Sequence, residues 1–330
     1  MGEVRGQRAE GRSPTADFRP LSSGPWFGPY LPAEFVLGDP GARDATIHAI
    51  QACVPHRRIL PTGIDEVVIL RTEPGVRFVR AKERGRDGND FTYDLEVTDA
   101  SGSVVERWTG LHLRAVEELA NREAWPEALL APYLERRLEE LAGHANVAVA
   151  LESGGKSRSP GATDEAIQQA LGRTARIWRR PDGKPETIEA GGVSAAHCRD
   201  LTLAVAGADG VACDLEEITA RSSVAWRGLL SEGRFKLAEL ISRERGEGMD
   251  TAATRMWAAA ECLKKIGLPP DGPLVLESTT PDGWGLLRAG GLTIATCAVS
   301  VAGVEAGLVV AVAFRSRAAG EQERARTVSG

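Results

Sequence analysis

The fold of the first half of the chain is decided by a strictly alternating run, FTYDLEV at residues 91–97. Alternation of apolar and polar residues with a period of two is typical of a half-buried β-strand. A second segment at 104–113 has the composition of a partner strand, and shorter strands are predicted at 67–70 and 76–80. A helix is predicted at 42–53. We therefore expect a mainly antiparallel sheet with one helix.

Length and composition limit the function classes. The 330 residues are 26% charged and 42% hydrophobic, which favours roughly two globular domains. A net charge of −6 argues against broad nucleic-acid binding. The most apolar segment, 292–314, is interrupted by Gly303, Glu305 and Gly307, so no membrane span is predicted. Five scattered cysteines without a CxxC pair predict neither a zinc site nor a disulfide framework, and no secretory signal is recognised. We expect a cytoplasmic protein with no nucleic-acid or membrane partner.

A charged, leucine-rich segment at 115–142 separates the two halves, and an amphipathic helix is predicted at 133–141. Beyond it, a loop is predicted at 153–163 and helices at 164–171, 235–244 and 251–266. Strands are predicted at 146–151, 176–179, 201–206, 211–216, 274–277, 292–301 and 308–314. These elements lack the regular strand–helix alternation of a parallel sheet. We therefore predict an α+β fold. Its segments are a disordered N-terminus at 1–20, a first domain at 21–116, a helical linker at 117–144, a second domain at 145–316 and a disordered tail at 317–330.

Two carboxylates share one face of a predicted strand in the second half, ACDLE at 212–216. Alternate side chains of a strand project to the same side, so Asp214 and Glu216 lie together while Leu215 packs inward. Paired carboxylates supply the hard oxygen ligands that Mg²⁺ takes when it binds phosphates. Taken alone, a D-x-E strand is more often a solvated surface.

A predicted helix carries a third carboxylate and a cation, in WAAAECLKK at 257–265. Trp257, Glu261 and Lys265 are spaced i, i+4, i+8 and therefore share one helical face. Taken alone, the Glu261–Lys265 pair is more often a surface ion pair. His197, in AHC at 196–198, is by itself more often structural.

In chain order, GKP at 183–185, AHC at 196–198, CDLE at 213–216 and WAAAECLKK at 257–265 form a recognisable set. This set resembles the signature of the 4′-phosphopantetheinyl transferase superfamily, which runs GKP, S-H-S, G-V-D-I-E and W-x-x-K-E-x-x-x-K. The likeness covers about residues 145–315. It implies transfer of 4′-phosphopantetheine from coenzyme A to a serine of an acyl carrier protein domain.

The resemblance implies a role for each matching residue. Asp214, Glu216 and Glu261 would hold the Mg²⁺ that bridges the coenzyme A diphosphate. Lys265 would contact that diphosphate and stabilise the leaving 3′,5′-ADP. Glu261, or a water on the metal, would be the base. Phosphoryl transfer needs charge neutralisation and positioning more than covalent chemistry, which agrees with such a set.

Coenzyme A would be bound with the help of Lys184, Pro185 and His197. The sequence also departs from the family pattern. The lysine that usually precedes the helix glutamate is Ala260 here, and alanine and cysteine replace the serines around His197. A decayed, non-catalytic module of a polyketide synthase is therefore an alternative.

The first half contains GARDATIHAIQ at 41–51, followed by LP at 60–61. These residues resemble the second half of a polyketide synthase dehydratase, which implies a hot-dog fold, a helix wrapped by an antiparallel sheet. Asp44 would be the catalytic acid and His48 its supporting side chain one turn on. The plain alternative for Asp44 is a carboxylate stabilised near a helix N-terminus.

The partner histidine of such dehydratases, in H-x-x-x-G-x-x-x-x-P, is missing from the sequence. A dehydratase half followed by a phosphopantetheinyl transferase resembles the end of enediyne-type iterative polyketide synthases. That resemblance implies upstream synthase domains and an acyl carrier protein domain as partners. A hot-dog acyl-thioester dehydratase is the further alternative. The sequence leaves open the carrier, the polyketide product and the oligomeric state.

Overall fold

The computed structural model describes residues 4–7, 13–18, 40–73, 75–119, 123–142, 147–154, 159–188, 191–208, 210–269 and 272–315. The chain divides into two compact units, Met1–Ala120 and Asn121–Gly330. Both units combine helices with antiparallel strands, which confirms the predicted α+β class. In the described part of the chain, no helix is long and apolar enough to cross a membrane.

The first unit is a six-stranded antiparallel sheet with a helix that ends in a 3-10 turn. The strands lie in the order β1-β2-β4-β5-β6-β3. The elements are β1 (Val4–Gln7), β2 (Ser13–Phe18), α1 (Pro40–Ala49), a 3-10 helix (Ile50–Cys53), β3 (Arg57–Ile69), β4 (Arg77–Asp87), β5 (Asp90–Thr98) and β6 (Val104–Glu118).

The core of the first unit follows the predicted alternation along β5. Phe91, Tyr93, Leu95 and Val97 are buried and pack with Ile50 of the 3-10 helix. The segment 1–20, predicted to be disordered, contains β1 and β2, while its other residues and the tail at 317–330 lie outside the described residues. One helix packed on an antiparallel sheet is the arrangement expected of a hot-dog domain.

The second unit contains four helices and ten strands in its described residues. They are α2 (Glu127–Ala142), β7 (Ala148–Ser153), α3 (Pro160–Leu171), β8 (Ile177–Arg179), β9 (Pro185–Thr187), β10 (Gly192–Cys198), β11 (Leu201–Gly207), β12 (Ala212–Glu217), α4 (Ser223–Arg245), α5 (Met249–Ile266), β13 (Val275–Thr279), β14 (Trp284–Ala289), β15 (Leu292–Val299) and β16 (Leu308–Arg315).

A five-stranded sheet in the order β12-β16-β15-β14-β13 is the central layer of the second unit. It is buried on both faces. Along β16, Val310 and Val312 pack toward the three-stranded sheet β10-β11-β7, whereas Val309 and Ala311 pack toward α4 and α5. Double burial explains why the segment 292–314 is so apolar without being a membrane span.

The segment 117–144, predicted to be a linker, contains α2, whose buried side chains belong to the core of the second unit. Leu134 and Leu138 are fully buried there, and the indole Nε1 of Trp284 donates to the hydroxyl of Tyr133 at 2.9 Å. Pro132 lies inside this helix, which therefore begins earlier than the helix predicted at 133–141.

Candidate active site

Strand β12 and helix α5 bring the predicted carboxylates to one cavity. The strand is hydrogen-bonded to β16, and the thiol of Cys262 on α5 contacts the carbonyl oxygens of Ala212 and Ala311 on these two strands, which fixes the helix across them. The cavity has a volume of about 590 Å³. Its lining residues are Ala195, Ala196, His197, Asp214, Glu216, Trp257, Glu261 and Lys265.

Asp214, which is buried, and Lys265, whose side chain is 26% exposed, form an ion pair in the cavity. Lys265 Nζ donates to Asp214 Oδ1 at 2.8 Å, to the carbonyl of Cys213 at 2.8 Å and to the carbonyl of Ala195 at 3.4 Å. An ammonium has three N–H donors, so these contacts account for all of them. Contact with a diphosphate would therefore require one of these bonds to be exchanged.

The electrostatics of this pair reflect its burial. Burial raises the pKa of the Asp214 carboxyl, against the opposing effect of the Lys265 charge. Burial acts to lower the pKa of the Lys265 ammonium, but Asp214 and neighbouring groups more than offset this, so the pKa is raised. The raised pKa means that Lys265 keeps its positive charge next to the carboxylates at neutral pH.

Glu216 and Glu261 are held by different partners. The indole Nε1 of Trp257 donates to Glu216 Oε1 at 3.0 Å, whereas Lys264 Nζ lies 3.4 Å from Glu261 Oε2. Burial and the charge of Asp214 raise the pKa of Glu216. The sequence placed Trp257 on the same helical face but gave no sign that it reaches Glu216, because that contact depends on how α5 packs against β12.

The donor set has the chemistry that Mg²⁺ requires. Oδ2 of Asp214 is buried and has no hydrogen-bond partner, and the side chain is only 8% exposed. A buried, unpaired carboxylate oxygen beside two further carboxylates is a site that a hard cation would satisfy. As they stand, the described residues form no group of three or more potential ligands close enough together to hold a metal ion.

His197 reaches the cavity from β10, and hydroxyl groups hold its ring. Nε2 lies 3.2 Å from Thr163 Oγ1 on α3, and Nδ1 lies 3.0 Å from Thr202 Oγ1 on β11. These contacts fix the plane of the imidazole, whichever nitrogen carries the proton. The arrangement is compatible with a structural histidine and with one that orients a ligand at the cavity rim.

Lys184 and Pro185 lie outside the residues that line the cavity. They occupy the hairpin between β8 and β9, and β9 is next to β10, the strand of His197. Pro185 is buried, and burial lowers the pKa of the Lys184 ammonium. The structure thus brings five of the predicted site residues together and places these two on an adjacent hairpin.

Ala260, which stands where the resemblance leads us to expect lysine, is buried in α5 with 8% exposure. Met256 and Leu263 on the same helix are fully buried. Ala260 therefore lies on the buried side of the helix.

In the first unit, Asp44 lies on the solvent side of α1. Its carboxylate is 67% exposed and lies 3.5 Å from Nε2 of His48, which is 74% exposed. The buried side of the same helix is formed by Thr46, whose hydroxyl donates to the carbonyl of Ala42 at 2.9 Å. Asp44 and His48 are thus brought together, one turn apart, on an open surface.

Comparison with protein families matches residues 10–123 to the polyketide synthase dehydratase N-terminal domain. This part of the chain is therefore similar to a polyketide synthase dehydratase region. The matching family describes the N-terminal domain, whereas the sequence motifs predicted the second half of a dehydratase. The match covers about a third of the chain, and the comparisons give no support for a phosphopantetheinyl transferase in the rest.

Solved structures give only weak likenesses. A trans-acyltransferase polyketide synthase enoyl-isomerase is 16% identical with a TM-score of 0.27, and the alignment covers 34% of this chain and 44% of that one. A mutant thioesterase from Pseudomonas aeruginosa is 15% identical (34% and 81% covered, TM-score 0.26), and a mutant fluoroacetyl-CoA-specific thioesterase is 22% identical (34% and 90% covered, TM-score 0.26). TM-scores this low carry no structural argument. Comparison with curated protein sequences finds no match.

Proposed function

We propose that the second unit transfers 4′-phosphopantetheine from coenzyme A to a serine of an acyl carrier protein domain. The observation that carries this proposal is the convergence of Asp214, Glu216, Glu261 and Lys265 on one cavity of about 590 Å³. Two separated sequence motifs, CDLE at 213–216 and WAAAECLKK at 257–265, supply these residues, and packing brings them together. Three carboxylates and a partly buried ammonium are suited to binding a metal-complexed diphosphate.

Mg²⁺ would be held by Asp214, through its unpaired Oδ2, together with Glu216 and Glu261. When bound, the ion would neutralise charge on the diphosphate and on the leaving phosphate. Glu261, whose side chain is 26% exposed, would accept the proton of the carrier serine. The serine oxygen forms a bond to the phosphorus that bears the pantetheine arm, and the bond from that phosphorus to 3′,5′-ADP breaks.

Lys265 would stabilise the 3′,5′-ADP that leaves. Since its three donors are engaged, we propose that it exchanges its longest bond, the 3.4 Å contact with Ala195, for a phosphate oxygen. The bonds to Asp214 and Cys213 would remain. His197 and the hairpin of Lys184 and Pro185 would bind coenzyme A beside the cavity.

The transfer is tested with coenzyme A that carries a fluorescent label on its thiol. An apo carrier protein incubated with this chain, the labelled coenzyme A and Mg²⁺ should become fluorescent on a denaturing gel, and chelation of Mg²⁺ should prevent labelling. A carrier in which alanine replaces the acceptor serine is the matched control. A carrier that stays unlabelled in the presence of Mg²⁺ would overturn the proposal.

A second candidate function belongs to the first unit and is favoured by the family match at residues 10–123. It is a hot-dog acyl-thioester dehydratase, working among other domains of a polyketide synthase on carrier-bound intermediates. Of the two candidates, the comparisons favour this one. Its weakness is geometric, because the described residues leave Asp44 on an open helix face with His48 as its neighbour. A non-catalytic synthase module is the remaining alternative.

A further inference from the structure

One face of helix α5 meets the two carboxylates of β12 through one hydrogen bond each. Trp257 lies one turn before Glu261, and Lys265 one turn after it, so the three side chains form a row along the helix. The outer two reach the strand, where Trp257 Nε1 donates to Glu216 Oε1 at 3.0 Å and Lys265 Nζ to Asp214 Oδ1 at 2.8 Å. Each strand carboxylate is thus bound through one oxygen by a donor from the same helix.

The two donors differ in charge. Lys265 orients Asp214 and also cancels its negative charge, whereas an indole N–H is a neutral, single donor. Trp257 therefore fixes Glu216 without reducing the charge that would attract a cation. A carboxylate fixed at Oε1 has a defined direction for Oε2. Supporting hydrogen bonds of this kind orient metal ligands, and their loss typically weakens metal binding about 10- to 100-fold.

We propose that Trp257 is a positioning residue, whose indole N–H fixes the carboxylate of Glu216 for binding a divalent cation. This inference rests on the proposed function, because the cation is the reason to fix that carboxylate. The partly buried ring also has a packing role, because Trp257 packs against the core formed by α4, α5 and the central sheet. The proposed positioning role is additional to this packing. Packing needs the ring, whereas positioning needs the N–H.

Phenylalanine separates the two roles, because Trp257→Phe keeps an aromatic ring and removes the donor. The chain also offers a matched control. Trp226 on α4 donates its Nε1 to Asp250 Oδ1 at 2.7 Å, is buried in the same core and does not line the cavity. Trp226→Phe therefore removes an equivalent indole–carboxylate bond away from the site.

The measurement is Mn²⁺ binding to the full chain with coenzyme A present, followed by the electron paramagnetic resonance signal of free Mn²⁺. We expect Trp257→Phe to weaken Mn²⁺ binding about 10- to 100-fold, and Trp226→Phe to bind like the unchanged chain. Thermal unfolding of each variant shows whether the fold is retained.

Three results would overturn the inference. Unchanged Mn²⁺ affinity in Trp257→Phe would leave the proposed function standing and remove the positioning role. Equal weakening in both variants would show that indole loss acts through helix packing. If the unchanged chain bound no Mn²⁺ at all, the cation site itself would fail, and the proposed function with it.

Discussion

Each unit carries an acidic residue on a helix, in a motif that suggests catalysis, and the two acids have opposite surroundings. Asp44 on α1 is 67% exposed and its neighbour, His48, belongs to the same helix. Glu261 on α5 is 26% exposed and shares a cavity with two carboxylates from a strand. The residue type is similar, but among the described residues only Glu261 is surrounded by groups from other elements.

The difference comes from which side of each helix faces the sheet. In α1, the side that carries Thr46 is buried and Asp44 points away from it. In α5, the row of Trp257, Glu261 and Lys265 lies at the edge of the buried side, where it meets the polar residues of β12. A helix motif becomes a site when its polar row is packed against polar groups of a second element.

Loss of the Glu261 carboxylate should have the largest effect. We expect Glu261→Gln to abolish carrier modification while thermal unfolding is unchanged, because the partly exposed side chain keeps its shape and loses its charge. Glu277→Gln is the control and should retain full activity. Glu277 lies on β13 and forms an ion pair with Arg288 on β14. Transfer at the rate of the unchanged chain, with unaltered Mg²⁺ dependence, would show that the metal assignment is wrong.

Thiol reactivity should also distinguish the two units. Burial raises the pKa of the Cys213 and Cys297 thiols to about 12, while Cys53 in the first unit is partly exposed. The thiolate is the nucleophile, and each pKa unit changes the thiolate fraction tenfold. The thiolate fractions of Cys213 and Cys297 are therefore roughly a thousandfold lower than that of a thiol with the ordinary pKa of 9.0. Brief alkylation of the native protein at pH 8, mapped by peptide mass spectrometry, should label Cys53 first. Equal labelling of Cys213 would contradict the packing around the site.

Ala260→Lys tests the position at which the sequence departs from the transferase pattern. Because Ala260 is buried, we expect overpacking to cost about 1–3 kcal/mol of unfolding free energy, which lowers the melting temperature by about 2–4 °C per kcal/mol. Ala225→Lys, on an exposed part of α4, should leave the melting temperature unchanged. A faster and equally stable Ala260→Lys variant would instead reveal a lost functional lysine.

Asp44→Asn should have the smallest effect. Substitutions at exposed positions usually change the unfolding free energy by no more than about 0.5 kcal/mol, and the contact with His48 is open to solvent. We also expect no elimination from a 3-hydroxyacyl thioester by the chain, with or without this substitution. Elimination that disappears in Asp44→Asn would establish dehydratase activity in the first unit, with Asp44 as its catalytic acid.

Periodicity found the elements that have one buried and one exposed side. The alternation at 91–97 became the buried row of β5, and the carboxylates at 214 and 216 lie on a strand as predicted. The sequence did not predict β10 and β14, because small residues in GVSAAHC and a fully apolar WGLL run show no alternation. β14 is buried at every position except Arg288 and so has no solvent side to give a pattern, whereas the partly exposed positions of β10 include the small residues Gly192 and Ala195.

The starts of two helices were also missed. Helix α3 begins at Pro160, inside the predicted loop at 153–163. Ser159 caps the helix, and proline occupies its first turn. That signal was present in the sequence. The sequence signal for the first part of α4 was weak. Val224 is an apolar residue that is 81% exposed, and Ser231 interrupts the helix with a φ of 64°.

The candidate site was predictable as a set of residues and not as a set of contacts. The spacing placed Trp257, Glu261 and Lys265 in a row, which the structure retains. The bonds from Trp257 to Glu216 and from Lys265 to Ala195 join positions 41 and 70 residues apart, and therefore depend on tertiary packing. The exposed setting of Asp44 likewise depends on the orientation of α1, which its motif does not encode.

The intact mass of a carrier protein tests the central claim most directly. An apo acyl carrier protein should gain the mass of one phosphopantetheine arm after incubation with this chain, coenzyme A and Mg²⁺, and should gain nothing with the Glu261→Gln variant. A carrier that a known phosphopantetheinyl transferase modifies under the same conditions serves as the positive control. If that carrier keeps its apo mass in the presence of this chain, the cavity of the second unit is not a phosphopantetheinyl transferase site.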